Sequence, residues 1–173
     1  MEKSASKLIS LSNGKAIEGY SSYALEGNVM TNLLVRDLSK SGQLVLWSIR
    51  RWVQKRRQVY GFDSILQRTY ELAGVPEAQK PFEEMMTLLA KVASRDVLVE
   101  CPCVSFITSD ELLIMHTLRS LQSKHLESAE QRIRQIMEEK LGSIFCKIGS
   151  EYVKSLSKGG FSLNQIASLS VAS

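Results

Sequence analysis

Between Ser128 and Leu156 the chain repeats one pattern without interruption. Apolar residues from Ala129 and Ile133 through Met137, Leu141, Phe145, Tyr152 and Leu156 recur at steps of one, three and four. At about 100° per residue such positions line one side of a helix. The stretch predicts a single helix of about 29 residues, or two helices joined near Gly142. An apolar stripe of that length has to be laid against other helices, and this constrains the fold to a bundle. Ile133, Ile136, Met137, Ile144, Phe145 and Ile148 are the expected core. Gly142 and Gly149 share one side of the helix, as a close helix–helix contact requires.

Other segments carry the same period. Val29, Met30, Leu33, Leu34 and Leu38 predict a helix capped by Asn28, with a break or kink near Ser39–Gly42. A second helix is expected from Leu44 to Tyr60 and ends at Gly61. A third begins at Asp63 and stops at Gly74. Pro76 and Pro81 fit only near the start of the next helix, which carries Phe82, Met85, Met86 and Leu89. Residues 96–107 are β-branched and contain Pro102, so they read as extended chain or a two-strand ribbon. Thr108-Ser109-Asp110-Glu111 is a capping box that opens a further helix. Residues 1–27 read as a flexible arm, with a short strand at 7–12 as the alternative. Residues 161–173 read as a weakly ordered tail. The expected fold is therefore all-α: a compact multi-helix bundle over 28–160 with at most a short extended ribbon near 97–107.

Composition narrows the class. Apolar residues make up 44% and charged residues 23%, which suits one globular domain with a core of its own. Three prolines are too few to punctuate many short strands. No apolar run reaches the length of about 18 residues that marks a membrane span, and Met1–Ser10 lacks the apolar core of a secretory signal. Three cysteines do not make a disulfide framework. Together these point to a cytoplasmic protein with free thiols.

The net charge is +4, and its excess is local, because residues 50–57 hold five cations and no anion. On a helical wheel Val45, Ile49, Trp52 and Val53 form one face, while Arg50, Arg51, Lys55 and Arg57 form the other with Trp47 among them. Such a face fits an acidic protein surface. It also fits nucleic acid, with Trp47 stacking on a base, or an anionic membrane surface. The structural alternative is a solvated helix face whose Trp47 packs under a neighbour. Glu77, Glu83 and Glu84 follow the third helix and oppose a helix-turn-helix reading, since they would meet phosphates with the wrong sign.

Catalytic chemistry finds little foothold. Asp110 and Glu111 are explained by the capping box, and two histidines without a Ser or Cys pattern do not suggest a triad. Neither glycine-rich phosphate motif is present. Cys101-Pro102-Cys103 offers two thiols for a soft metal or thiol redox chemistry. It lacks the second Cys/His pair that a structural zinc site needs, so these two are weak candidates. The sequence reading is thus a non-catalytic, regulatory or adaptor protein without a cofactor. Nucleic-acid binding and a thiol or metal role are its alternatives.

The run Cys101-Pro102-Cys103-Val104-Ser105, followed by Asp110-Glu111-Leu112-Leu113 and then Leu118 to Gln122, resembles a family of uncharacterised small helical bacterial proteins, chiefly alphaproteobacterial. The likeness spans residues 82–160, and this chain departs from it by inserting Phe106-Ile107-Thr108-Ser109 before the acidic pair. It implies a bacterial cytoplasmic protein and carries over no activity and no functional residue.

Overall fold

The structure, a computed structural model, describes residues 7–12, 15–20, 30–56 and 64–165. Its elements run β1 (Lys7–Ser12), β2 (Lys15–Tyr20), β3 (Met30–Leu34), α1 (Lys40–Arg56), α2 (Ser64–Leu72), α3 (Gln79–Val92), β4 (Val97–Val99), β5 (Phe106–Thr108), α4 (Ser109–Gln122), α5 (Leu126–Ile133) and α6 (Glu139–Lys158). The α-helices take up more than half of the described residues, so the mostly helical bundle expected from the sequence is what forms. None of them is long and apolar enough to cross a membrane.

The bundle is built on α3, α4 and α6, with α5 against α4 and α6, and α1 against α4 and α3. Phe82, Met85 and Met86 of α3, Ile114 and Leu118 of α4, and Phe145, Tyr152 and Leu156 of α6 are all fully buried in one core. Gly149 is what lets α6 come so close. A Cβ there would lie 2.8 Å from Leu121 Cδ1 and 3.5 Å from Met85 Sδ. The Tyr70 and Tyr152 hydroxyls meet at 3.0 Å inside this core, which satisfies two polar tips that water cannot reach. Gly74 adopts φ +73° where α2 ends, a conformation that favours glycine.

The long stripe divides in two. α5 stops at Ile133 and α6 starts at Glu139, with buried Ile136 and Met137 in the turn between them. Ile133, Ile136, Met137 and Phe145 are core as expected, and Ile148 is half-buried. Ile144 is 48% exposed, which corrects the expected core. It sits about 100° from Phe145 around the helix, just past the edge of the buried side.

Strands account for the other departures. Residues 30–38, expected to be helical, form β3 and a short 3-10 turn at Val35–Asp37. β3 pairs antiparallel with β5, and Thr31 Oγ1 donates to the Ile107 carbonyl at 2.9 Å. A short apolar run at three- and four-residue steps fits either state, and here distant pairing decides. Within the stretch read as a flexible arm, the alternative strand at 7–12 is what forms: β1 makes an antiparallel hairpin with β2 and also pairs with β4. β4 and β5 therefore face different partners and do not form a ribbon with each other. Asn28, Val29, Gly61 and residues 166–173 of the expected tail lie outside the described residues. Within the rest of that tail Leu163 is buried and its N–H donates to Gln122 Oε1.

Candidate functional site

α1 starts where Ser39 Oγ accepts the Gly42 N–H at 3.1 Å, a side-chain cap just before the first turn. Val45, Ile49 and Val53, four residues apart, are fully buried and fix the rotation of the helix. That rotation carries Arg50 inward and not to the surface. Arg50 is 1% exposed, and this corrects its placement on a solvent-facing cationic arc. Its Nε donates to Glu111 Oε1 at 2.8 Å and its Nη2 to Glu111 Oε2 at 2.9 Å. Nη1 also donates to the carbonyls of Cys101 and Val104, and Nη2 to that of Phe106.

These bonds use all five N–H groups of the guanidinium. Glu111 is equally full. Oε1 also accepts the Glu100 N–H at 3.0 Å, and Oε2 accepts the Thr108 N–H at 2.9 Å. The pair staples the turn between β4 and β5 to α1 and α4, and no donor or acceptor remains for a partner. The wheel placed Arg50 on the cationic face and gave no sign of what covers it.

The rest of the face is thinner than the sequence suggested. Trp47 is half-buried and packs on the core margin. Arg51 and Lys55 are half-buried. Arg57 lies outside the described residues. Trp47, Arg51 and Lys55 still form one stripe at four-residue steps, and Lys40 is exposed on the same side.

The acidic pair at the start of α4 is structural, as its capping pattern predicted. Thr108 Oγ1 accepts the Glu111 N–H at 3.0 Å, and the Glu111 side chain returns to the Thr108 N–H. Asp110 adds a two-pronged pair with Arg95, at 2.7 and 3.0 Å, and accepts the Leu98 N–H at 2.9 Å. The hydrogen bond from Arg95 to Asp110 raises the Arg95 pKa.

Glu100 is the exception. It is fully buried, and among the described residues neither carboxyl oxygen has a hydrogen-bond partner within good geometry. Burial, and then the charge of Glu111, raise its pKa; the Cys101 backbone and Arg50 offset only part of this. Cys101 is half-buried and Cys103 exposed, and neither is in a disulfide, with Pro102 and Cys103 in a turn. Among the described residues no group of three or more His, Cys, Asp or Glu side chains is placed to hold a metal ion.

A cleft between α4 and α5 was not anticipated. His116, Arg119, Ser120 and Ser123 line it from α4 and the turn after it, at i, i+3, i+4 and i+7. His125, Ser128 and Arg132 line it from the other side. The i, i+3, i+4, i+7 spacing on α4 can be read from the sequence. Which helix lies opposite cannot.

Comparison with known proteins found no matching family model, no matching relative among curated proteins and no matching solved structure.

Proposed function

We propose that this is a non-catalytic helical binding protein of the cytoplasm that docks an acidic protein surface on the outward, half-buried arc of α1. The observation that supports the reading is the make-up of that helix. α1 contains no Asp or Glu over its 17 residues. With Arg50 withdrawn into the core, the outward stripe is Trp47, Arg51 and Lys55, extended by Lys40. An indole flanked by cations offers a flat apolar contact and an electrostatic one together, a pairing common where charged partners dock.

The test reads Trp47 fluorescence in a Trp52→Phe background during titration with a poly-glutamate peptide. Saturable quenching that weakens with salt and is lost in Arg51→Glu/Lys55→Glu supports the reading. Random-sequence DNA binding in place of the acidic peptide transfers the face to nucleic acid. No response to either overturns a binding role for α1.

A further inference from the structure

The arginines of this protein differ in how they are neutralised. Among the described residues Arg36, Arg50, Arg68, Arg95 and Arg134 each have a carboxylate within 3.9 Å. Arg119 and Arg132 have none among the described residues, and both line the α4–α5 cleft. Both histidines of the chain line it too. The three remaining lining residues are Ser120, Ser123 and Ser128, so the wall carries cations, imidazoles and hydroxyls and no carboxylate.

The nearby acids point elsewhere. Glu127 and Glu130 lie about 100° and 160° around α5 from Ser128, whereas Arg132 follows Ser128 by one turn. Glu130 also acts on the α6 side. Burial pushes the Cys146 thiol up to about 12, and the Glu130 charge adds to that. On α4, Glu111 and Asp110 are already taken by Arg50 and Arg95. α5 begins at this cleft, and its N-cap His125 makes no side-chain cap, so the positive end of the helix dipole lies at the cavity edge.

We propose that the α4–α5 cleft binds the phosphate group of a small phosphorylated molecule. The cleft measures about 290 Å³, at the small end of ligand pockets, which suits a phosphate with a modest organic remainder. Arg119 and Arg132 supply two permanent charges and forked donors that match phosphate oxygens. Ser120, Ser123 and Ser128 supply hydroxyl donors, and the imidazoles add charge when protonated. Without a ligand the arrangement is self-repelling. Burial lowers the His116 pKa, and the charges facing it, Arg132 across the cleft and Arg119 on its own helix, lower it further. A bound dianion reverses the sign of that field. The proposal is independent of the α1 face and stands or falls separately.

The experiment follows the two histidine ring signals by NMR while inorganic phosphate, and then glycerol phosphate, is added at constant ionic strength. The expected result is saturable shifts of both rings and a rise in the His116 pKa. Arg132→Gln alone should weaken binding roughly tenfold, and Arg119→Gln/Arg132→Gln should abolish it with the melting temperature unchanged. Using the single variant keeps the test valid if the double one folds poorly. Shifts that grow linearly and match those from chloride overturn the proposal. So does phosphate binding that survives Arg132→Gln at full strength. Binding only to vesicles containing a phosphate-headed lipid, with no response to either soluble phosphate, also overturns it.

Discussion

α4 serves two arginine-bearing sites of opposite character. At its start, Glu111 meets Arg50 in a pair sealed on every side. Further along, His116, Arg119 and Ser120 open into a cleft whose arginines meet no carboxylate among the described residues. The same side-chain type is a staple in one place and an exposed charge in the other. What separates them is how far the five N–H groups are filled, not the local sequence. A filled, dry guanidinium fixes backbone. A partly filled one at a cavity edge is available for an anion. Glu111→Ala breaks this contrast most sharply. Removing one partner of a buried pair leaves an uncompensated charge and costs about 3–5 kcal/mol. Denaturant unfolding should show that loss, and Arg50→Met/Glu111→Leu should recover much of it. A change below about 1 kcal/mol for Glu111→Ala would mean the pair is not sealed as described.

Much of the scaffold was legible because its determinants are local. The Thr108–Glu111 box, the Gly74 stop and the Gly149 contact each depend on residues within one or two turns, or on a side chain too small to obstruct. What was illegible depends on distant partners. Met30, Leu33 and Leu34 sit at helical spacing, yet they lie in β3 because β5 is there to pair with it. Arg50 sits on the cationic side of a wheel, yet it is buried because Glu111, 61 residues away, reaches it. The cleft has the same cause. Its residues stand on two separate helices, and only the packing of α5 on α4 makes them face each other.

Glu100 tests how dry the sealed region is. Its raised pKa means that the folded protein keeps a proton that the unfolded chain releases. Stability from this group is therefore fully present below the ordinary carboxyl value of about 4.3 and declines as pH rises from there through the raised value. Glu100→Gln should flatten that decline. At neutral pH it should stabilise the protein on the order of 1 kcal/mol, because a neutral amide costs less to bury than a carboxylate without partners. Urea midpoints for both proteins from acid to neutral pH measure the difference. If the variant is less stable at pH 7, Glu100 is ionised and Arg50 serves two carboxylates.

On the cleft side the backbone itself is strained at one residue. Lys124 has φ +61° in the turn between α4 and α5. The His125 N–H donates to the Ser120 carbonyl at 2.8 Å and the Lys124 N–H to that of Leu121 at 3.0 Å, so Lys124 holds the helix-ending position where glycine is usual. Lys124→Gly should therefore stabilise the protein by up to about 1 kcal/mol, the smaller steric cost being partly offset by a freer unfolded chain. Thermal unfolding measures it, and a loss of stability would show that the lysine side chain contributes more than its backbone costs.

The smallest expected stability effect separates the two regions most directly. Arg119 and Arg132 are exposed, so Arg119→Gln/Arg132→Gln should change stability at neutral pH by less than about 0.5 kcal/mol, against the large loss expected for Glu111→Ala. The same variant should move His116. Burial alone would still hold its pKa below the ordinary value, but removing the two facing charges should raise it. A histidine with a lowered folded pKa gives stability that is present above about 6.5 and lost as pH falls through the lower value. The acid-side loss should therefore be milder in the variant. NMR titration of His116 beside acid unfolding of both proteins reads both effects. An unmoved His116 pKa would place the arginines too far from the imidazole to form one site. A loss of several kcal/mol at neutral pH would make them staples of the same kind as Arg50, and the contrast between sealed and open regions would no longer hold.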